Sequence, residues 1–273
     1  MGVFLERTIK SVVDQGYPVL EYIIIDGGST DGSLDIIKKY ERHITYWESG
    51  KDDGMYDAIN KGLARSTGEI LSWINSDDIL MKGSLNTIAQ IFKSYPSIDW
   101  LGGSSFSINE QDEVIHASFQ RRWNRFMYYQ GDYKYIQQEG TFWRRALWDK
   151  VGGCLNAKLK YAGDLELWSR FFAHADYYTL PAPLGAFRRR KENQKTLETL
   201  HLYHEEASKI INEIQMTDAD RQVLKSWDYY KKLKGRLPFA HKIFSKALKE
   251  HIYRFPPSFS YDLMGNRFTL NER

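Results

Sequence analysis

Apolar positions along the first hundred residues switch repeatedly between a helical and a strand period. Leu5, Ile9, Val12 and Val13 recur at helical spacing within 4–15, which predicts an amphipathic helix closed by Gly16-Tyr17-Pro18. The segment 21–26 carries the β-branched run Ile23-Ile24-Ile25 and predicts a short buried strand. Gly27-Gly28-Ser29-Thr30-Asp31-Gly32-Ser33 then forms a tight turn opening a helix, with Ser29 or Thr30 as N-cap. A further strand is expected over 44–47, a loop over 51–54 and a helix over 55–65. Ile70, Leu71, Trp73 and Ile74 form an apolar run bounded by Gly68 and a polar cluster, predicting a buried parallel strand that empties into Asn75-Ser76-Asp77-Asp78. With a helix over 83–94, the order is α-β-α-β-α-β-α, that of a doubly wound sheet with right-handed crossovers.

Beyond Trp100 the pattern changes. Segments 101–108 and 114–119 predict two strands joined by a turn over 109–113. The basic, aromatic stretch 121–135 is expected to be a mobile segment on the acceptor side. A short helix over 145–151 should end at Gly152-Gly153, and Leu165, Trp168, Phe171 and Phe172 mark a helix that begins near Gly163-Asp164. Segment 177–187 predicts an edge strand, because Pro181 and Pro183 cannot donate to a ladder. The last third reads as helical. Leu197, Leu200, Tyr203, Ala207, Ile210 and Ile214 repeat at helical spacing, Thr217 to Asp220 resembles a capping box, and Pro238 starts a helix with Phe239, Ile243 and Ala247 beside Lys242, Lys246 and Lys249.

Composition narrows the class without choosing a function. The chain has 273 residues, a net charge of +3 and 42% hydrophobic content, which suits a soluble globular chain with one large domain or one plus an appendage. A single cysteine, Cys154, excludes an internal disulfide and any cysteine-based zinc site. No apolar run approaches a membrane span and no signal peptide opens the chain, so cytoplasmic residence is expected. Between Arg188 and Arg254 there are 16 Lys and Arg against 9 Asp and Glu, so the basic excess is C-terminal. No nucleic-acid-binding module is recognisable.

The candidate chemistry gathers at strand ends. Asp77 and Asp78 fall where a strand stops, the position at which open α/β sheets bind ligands. Paired hard oxygens there suit Mg²⁺ or Mn²⁺ bridging to nucleotide phosphates, although a solvated loop would also carry Asp. The turn 27–33 can cradle an anion on backbone N–H groups, but it lacks the GxGxxG spacing of dinucleotide binders.

Several blocks in order carry a resemblance. Ile25-Asp26-Gly27-Gly28-Ser29-Thr30-Asp31-Gly32, the stretch from Asp53-Gly54-Met55-Tyr56-Asp57 to Asn60-Lys61-Gly62, and Asn75-Ser76-Asp77-Asp78 come first. Phe142-Trp143-Arg144-Arg145, Val151-Gly152-Gly153, Tyr161-Ala162-Gly163-Asp164-Leu165-Glu166-Leu167-Trp168, Phe187-Arg188 and Gln194-Lys195-Thr196 follow. Over residues 4 to 196 the chain resembles the bacterial family 2 glycosyltransferases of GT-A fold. The resemblance implies a GT-A domain over 1–196 and a helical extension over 197–273. It further implies inverting transfer of a sugar from a nucleoside diphosphate-sugar to a hydroxyl of a glycan or lipid-linked acceptor, in cell-surface polysaccharide or glycolipid synthesis.

Residue by residue, the resemblance places Asp26 by the nucleobase, Asp77 by the ribose and Asp78 on the divalent metal. Asp53, Asp57 and Lys61 fall on the segment lining the donor pocket. Asp164 matches the catalytic base, with Glu166 beside it, although an Asp at a helix start is equally suited to capping. Trp143 and Trp168 are read as core. Three departures stand out. The family's first strand has no counterpart before Phe4, Gly27 stands where a second Asp is common, and Arg190 stands where a His can complete the metal site. Arg190 is expected instead to neutralise diphosphate charge. The alternative function is an inactive relative acting as a nucleotide-binding or scaffold protein. A nucleotidyltransferase is disfavoured because no Arg/Lys-bearing phosphate loop is visible. The lysine-flanked helix after Pro238 leaves open peripheral contact with the inner membrane face.

Overall fold

The structure is a computed structural model that describes residues 2–118, 121–132, 136–191, 199–236, 252 and 254–271. Helix α1 (Gly2–Val13) buries Leu5, Ile9 and Val12 on one face, against α2 (Ser33–Lys39) and the residues around Ile44. Strand β1 (Ile23–Asp26) pairs in parallel with β2 (Tyr46–Ser49), and α3 (Met55–Arg65) packs on β1, so this portion is the expected α/β unit. The cap of α2 differs from expectation. Gly32, at φ 84°, occupies the N-cap, where a left-handed backbone favours glycine over Ser29 or Thr30.

The doubly wound order stops there. Strand β3 (Ile70–Leu71) is two residues long and runs antiparallel to β8 (Thr141–Arg144), so the parallel pairing expected of it is wrong. Local sequence cannot show this, because the partner lies some seventy residues downstream. The chain leaves the sheet after Leu71 and turns Trp73 onto Trp143 and Trp168, at ring-centroid distances of 5.4 and 5.8 Å. The sheet order is β3-β8-β5-β9, with β5 (Trp100–Gly102) and β9 (Tyr177–Thr179) parallel.

A second sheet has the order β4-β10-β6-β7, from β4 (Ile79–Leu80), β10 (Gly185–Arg188), β6 (Phe106–Ile108) and β7 (Val114–Ala117). The strand expected over 101–108 is therefore two strands in different sheets. Gly103 makes the crossing: a Cβ there would lie 2.6 Å from the Ala182 carbonyl oxygen, and only glycine permits that approach. Segment 177–187 is likewise split, with both prolines between β9 and β10. The first part is an edge strand as expected, whereas β10 is central, bonded to both β4 and β6.

Trp100, Trp143 and Trp168, each at most 1% exposed, centre the largest core cluster, so the two tryptophans read as core are core. Helix α4 (Ser84–Ser94) covers the other face of the first sheet through Ile88, Ile91 and Phe92. The described part of 121–135 is docked rather than loose. Trp123, Phe126 and Tyr128 are buried around α5 (Arg125–Tyr129), and Asn124 caps that helix by accepting the Met127 N–H at 3.1 Å. The apolar content that marked the stretch is what packs it.

After α6 (Arg145–Lys150) and α7 (Gly163–Phe172), the last third contributes α8 (Leu200–Glu213) and α9 (Asp218–Arg236). Thr217 caps α9 by accepting the Asp220 N–H at 3.1 Å, and the Asp220 carboxylate holds Arg125 at 3.0 Å instead of completing the box. A hairpin absent from the helical expectation, β11 (Phe259–Asp262) with β12 (Arg267–Leu270), lays Phe259 against Tyr95 of the α4 end. The segment 194–196 and the helix expected after Pro238 lie outside the described residues.

Candidate active site

Four carboxylates converge below the ends of β3, β8 and α7. Asp78 is wholly buried: its Oδ1 accepts the Arg188 backbone N–H at 2.8 Å and its Oδ2 accepts the Asn75 amide at 3.1 Å. The loop was expected at an exposed strand end. Instead it is sealed by α1, whose Thr8 hydroxyl donates to the Asp78 carbonyl at 2.7 Å. Burial, reinforced by the Asp77 charge, pushes the Asp78 carboxyl up to about 8. Asp77 keeps a carboxylate 3.1 Å from the Arg190 guanidinium; burial raises its pKa and Arg190 opposes the rise. Arg190 therefore lies at the carboxylate pair.

Arg188 clamps this corner. Its guanidinium is fully buried, donates to the Asp77 and Asn109 carbonyls at 2.6 and 2.8 Å, and pairs with Asp112 at 2.5 Å. Its ring contact is Phe4, 4.8 Å from the guanidinium carbon. The third carboxylate, Glu139, sits in the short 3-10 turn Gln138–Gly140 against β10. It is raised well above the ordinary range by burial and by Asp78, Asp164 and Asp77, so it lies within electrostatic reach of all three. Its Oε1 and both amide atoms of Gln138 are buried without a protein partner. Neither residue stood out in the sequence, where a Gln-Gln-Glu run before a strand has no distinguishing spacing.

Asp164 is the fourth. The helix it opens is not capped by it: Ala162 takes the N-cap position, and Gly163 donates its N–H to the Tyr56 hydroxyl at 2.8 Å. The backbone N–H groups of Leu165 and of Asp164 itself favour the ionised carboxylate, while its Oδ1 is sealed from solvent with no partner. Burial is the largest influence and pushes the carboxyl up to about 6, assisted by the charge of Glu206. Glu166 points elsewhere. It forms a two-point ion pair with Arg170 at 2.8 Å, and Arg170 also ties down the Val151 and Cys154 carbonyls.

The remaining expected residues line a separate edge. Asp26 and Lys61 share a cleft of about 150 Å³ with Ile25, Glu48, Ser49, Gly50 and Lys51. Burial alone would raise the Asp26 carboxyl, but Ser29, Ser49 and the Gly28 N–H donate to it and hold it below the ordinary range. The space beside it at Gly27 is taken by Asp52, whose Oδ2 lies 2.6 Å from where a Cβ would stand. Asp57 pairs with Lys61 at 2.7 Å and accepts the Asp53 N–H at 3.1 Å, which leaves the exposed Asp53 on the rim. The eight expected residues thus fall into two groups, Asp26, Asp53, Asp57 and Lys61 on one side and Asp77, Asp78, Arg190 and Asp164 on the other.

The fold has counterparts among solved structures. The crystal structure of S. aureus TarS 1-349 in complex with UDP-GlcNAc has a TM-score of 0.63 at 15% identity, covering 92% of this chain and 74% of that one. The UDP complex of the same TarS fragment gives 0.61 at 16% identity, covering 92% and 71%. At such identity the likeness shows the fold, which is GT-A. The putative teichuronic acid biosynthesis glycosyltransferase TuaG of Bacillus subtilis is 39% identical over 87 residues, 30% of this chain and 34% of that protein. The PGL/p-HBAD biosynthesis glycosyltransferase of Mycobacterium tuberculosis is 27% identical over 186 residues, covering 64% and 66%. Matched stretches thus span about a third of TuaG and just under two thirds of the mycobacterial protein. The family model described as "Glycosyl transferase family 2" matches residues 2–147, more than half of the chain, and the chain belongs to that family.

Proposed function

We propose that this protein transfers a sugar, with inversion at the anomeric carbon, from a nucleoside diphosphate-sugar to an acceptor hydroxyl, and that Asp164 is the base. The observation that carries this is the buried, unpartnered Oδ1 of Asp164, on a carboxyl poised about a unit below neutral pH. A general base works best when its pKa lies near the working pH, because it is then both ionised and basic. Asp164 would accept the acceptor hydroxyl proton as that oxygen bonds to the anomeric carbon, while the bond from that carbon to the diphosphate oxygen breaks on the opposite face. The leaving diphosphate gains charge, which Arg190 is placed to neutralise.

Asp26 and Lys61 would hold the nucleoside side, with Asp57 orienting Lys61 and Asp53 at the rim. A divalent Mg²⁺ or Mn²⁺ fits the chemistry of the other corner. Asp77 and Asp78 are hard oxygen donors, the charge of Asp77 helps to raise the pKa of Asp78, and a cation would relieve that repulsion. Asp78 would hold it, since each of its oxygens keeps a lone pair beyond the hydrogen bond it accepts. The ion would supply Lewis-acid stabilisation of the diphosphate. Among the described residues no group of three or more His, Cys, Asp or Glu is arranged for a metal, so donor phosphates would complete the shell.

The named roles of TuaG in teichuronic acid biosynthesis and of the mycobacterial relative in PGL/p-HBAD biosynthesis support a polysaccharide or glycolipid acceptor. No described helix is long and apolar enough to cross a membrane. Calorimetry with UDP, with and without Mn²⁺, followed by UDP-GlcNAc turnover in the wild type and in Asp164→Asn, tests the assignment. Donor binding retained by a variant whose turnover falls about 10²–10⁴-fold is expected. Full turnover by Asp164→Asn would remove it as the base.

A further inference from the structure

The loop that delivers Asp164 is held from outside the family-matched region. Three consecutive backbone N–H groups, those of Lys160, Tyr161 and Ala162, converge on the carboxylate of Glu206 in α8, with Oε2 distances of 3.3, 2.8 and 2.7 Å. Lys160 also reaches Oε1 at 3.1 Å. Ala162 has no polar side chain to cap α7; Glu206 instead takes the N–H of this N-cap residue and of the two residues before it, across a helix–helix contact. Helix α8 is itself anchored by Ala207 and Ile211, buried in the same core cluster as Leu165 and Trp168. Gly163 follows in the chain, tied to Tyr56, and Asp164 comes next. Glu206 and Tyr56 together therefore account for every N–H immediately before Asp164.

We infer that Glu206 is a positioning residue for Asp164, setting the path of residues 160–163 and the electrostatic surroundings of the Asp164 carboxyl. The role rests on Asp164 being the base as proposed above, but the tether is a separate physical claim. It makes the segment after residue 196 part of the active site rather than an appendage. The charged and titratable groups facing Asp164 are Tyr56 on α3, Tyr128 on α5, Glu139 in its 3-10 turn and Glu206 on α8. Glu206 adds negative charge that opposes ionisation of Asp164. Carboxylates in backbone nests are held by charge-assisted bonds, which are stronger than neutral ones.

The test uses the full chain labelled with ¹³C at aspartate carboxyls, the Asp164 resonance being assigned from Asp164→Asn. In Glu206→Gln the midpoint of the Asp164 titration should fall by about half a unit or more. In Glu206→Ala, hydrogen exchange at the amides of 160–162 should accelerate roughly tenfold or more, whereas Glu206→Gln keeps an acceptor oxygen and most of the protection. An unchanged Asp164 midpoint in Glu206→Gln overturns the proposal, even where exchange changes, because Glu206 would then only hold the backbone before α7. Unchanged exchange in Glu206→Ala overturns it as well. If Glu206→Ala does not fold, the Glu206→Gln titration decides alone. Neither readout needs a donor, so both results stand if no sugar transfer is found, and that failure would count against the proposed function only.

Discussion

The Tyr56 ring occupies the space that a side chain at residue 163 would need. A Cβ on Gly163 would come within 2.6 to 2.8 Å of three ring carbons, and the Tyr56 hydroxyl accepts the Gly163 N–H. Tyr56 is buried in the main core cluster, so the ring cannot swing aside. Gly163→Ala should therefore destabilise the protein by about 1–3 kcal/mol and displace Asp164. Tyr56→Phe keeps the ring but leaves a buried N–H without its acceptor, at a cost of about 1–2 kcal/mol. Urea denaturation of both variants checks the order. A Gly163→Ala protein as stable as the wild type would show that the contact yields.

Asp164 gives a pH dependence of determined sign. Its folded carboxyl is raised to about 6 from an ordinary value near 3.8, so between those values the folded chain holds a proton that the unfolded chain releases. Ionisation thus costs stability as pH rises through this window, and the cost is complete above pH 6. Asp164→Asn should be more stable than the wild type at pH 7.5, by up to about 3 kcal/mol. The advantage should be nearly gone by pH 4, where the folded carboxyl is protonated and roughly half of the unfolded ones are as well. Thermal melts across pH 4 to 8 measure it. A constant difference would remove ionisation as its cause.

Much of this architecture is legible where the signal is local. Helix α3 begins and ends at Met55 and Arg65 as the periodicity indicates, and the glycine turn after β1 lies where its composition puts it. Pairing is not local. Leu71 gives no sign that it will face Trp143 in an antiparallel ladder, and Phe187 looks like an edge residue until β10 is seen between two partners. The C-terminal hairpin was legible in principle. Phe259 and Tyr261 alternate with polar residues, and Gly265-Asn266 offers a turn, with Asn266 at φ 49°. At the site, acidic residues in recognisable blocks are conspicuous, but Glu206 is one glutamate on a polar helix face. Only the fold brings it to residues 160–162.

Arg188 is predicted to be a stability residue first. Its guanidinium is fully buried, and its donors satisfy two carbonyls while pairing with Asp112. Arg188→Met would preserve the stem and its contact with Phe4 but leave those acceptors without donors. A loss of about 3–5 kcal/mol is expected, the range for breaking a buried ion pair by removing one partner. Arg188→Lys should recover little, because one ammonium cannot span the planar donor geometry. Chemical denaturation reads both. Near-native stability of the Lys variant would mean that charge alone suffices at this position.

Arg190→Gln is predicted to separate diphosphate recognition from nucleoside recognition. It lies 3.1 Å from Asp77, with both side chains about 12–13% exposed, so its charge is partly screened and partly committed. The Asp26–Lys61 cleft lies in a different group of elements, around β1, β2 and α3. If Arg190 contacts phosphate oxygens, Arg190→Gln should weaken UDP binding roughly tenfold, in keeping with one charge-assisted hydrogen bond of about 1.5–3 kcal/mol less the value of its present pairing with Asp77. Uridine, which has no phosphate, should bind the variant and the wild type alike. Lys61→Gln should reduce affinity for uridine as well as for UDP, because Lys61 lines the cleft proposed above for the nucleoside. Isothermal titration of the two ligands against the two variants gives four affinities. Equal losses of uridine and UDP on Arg190→Gln would place Arg190 outside the phosphate contact and return it to the role of Asp77's partner.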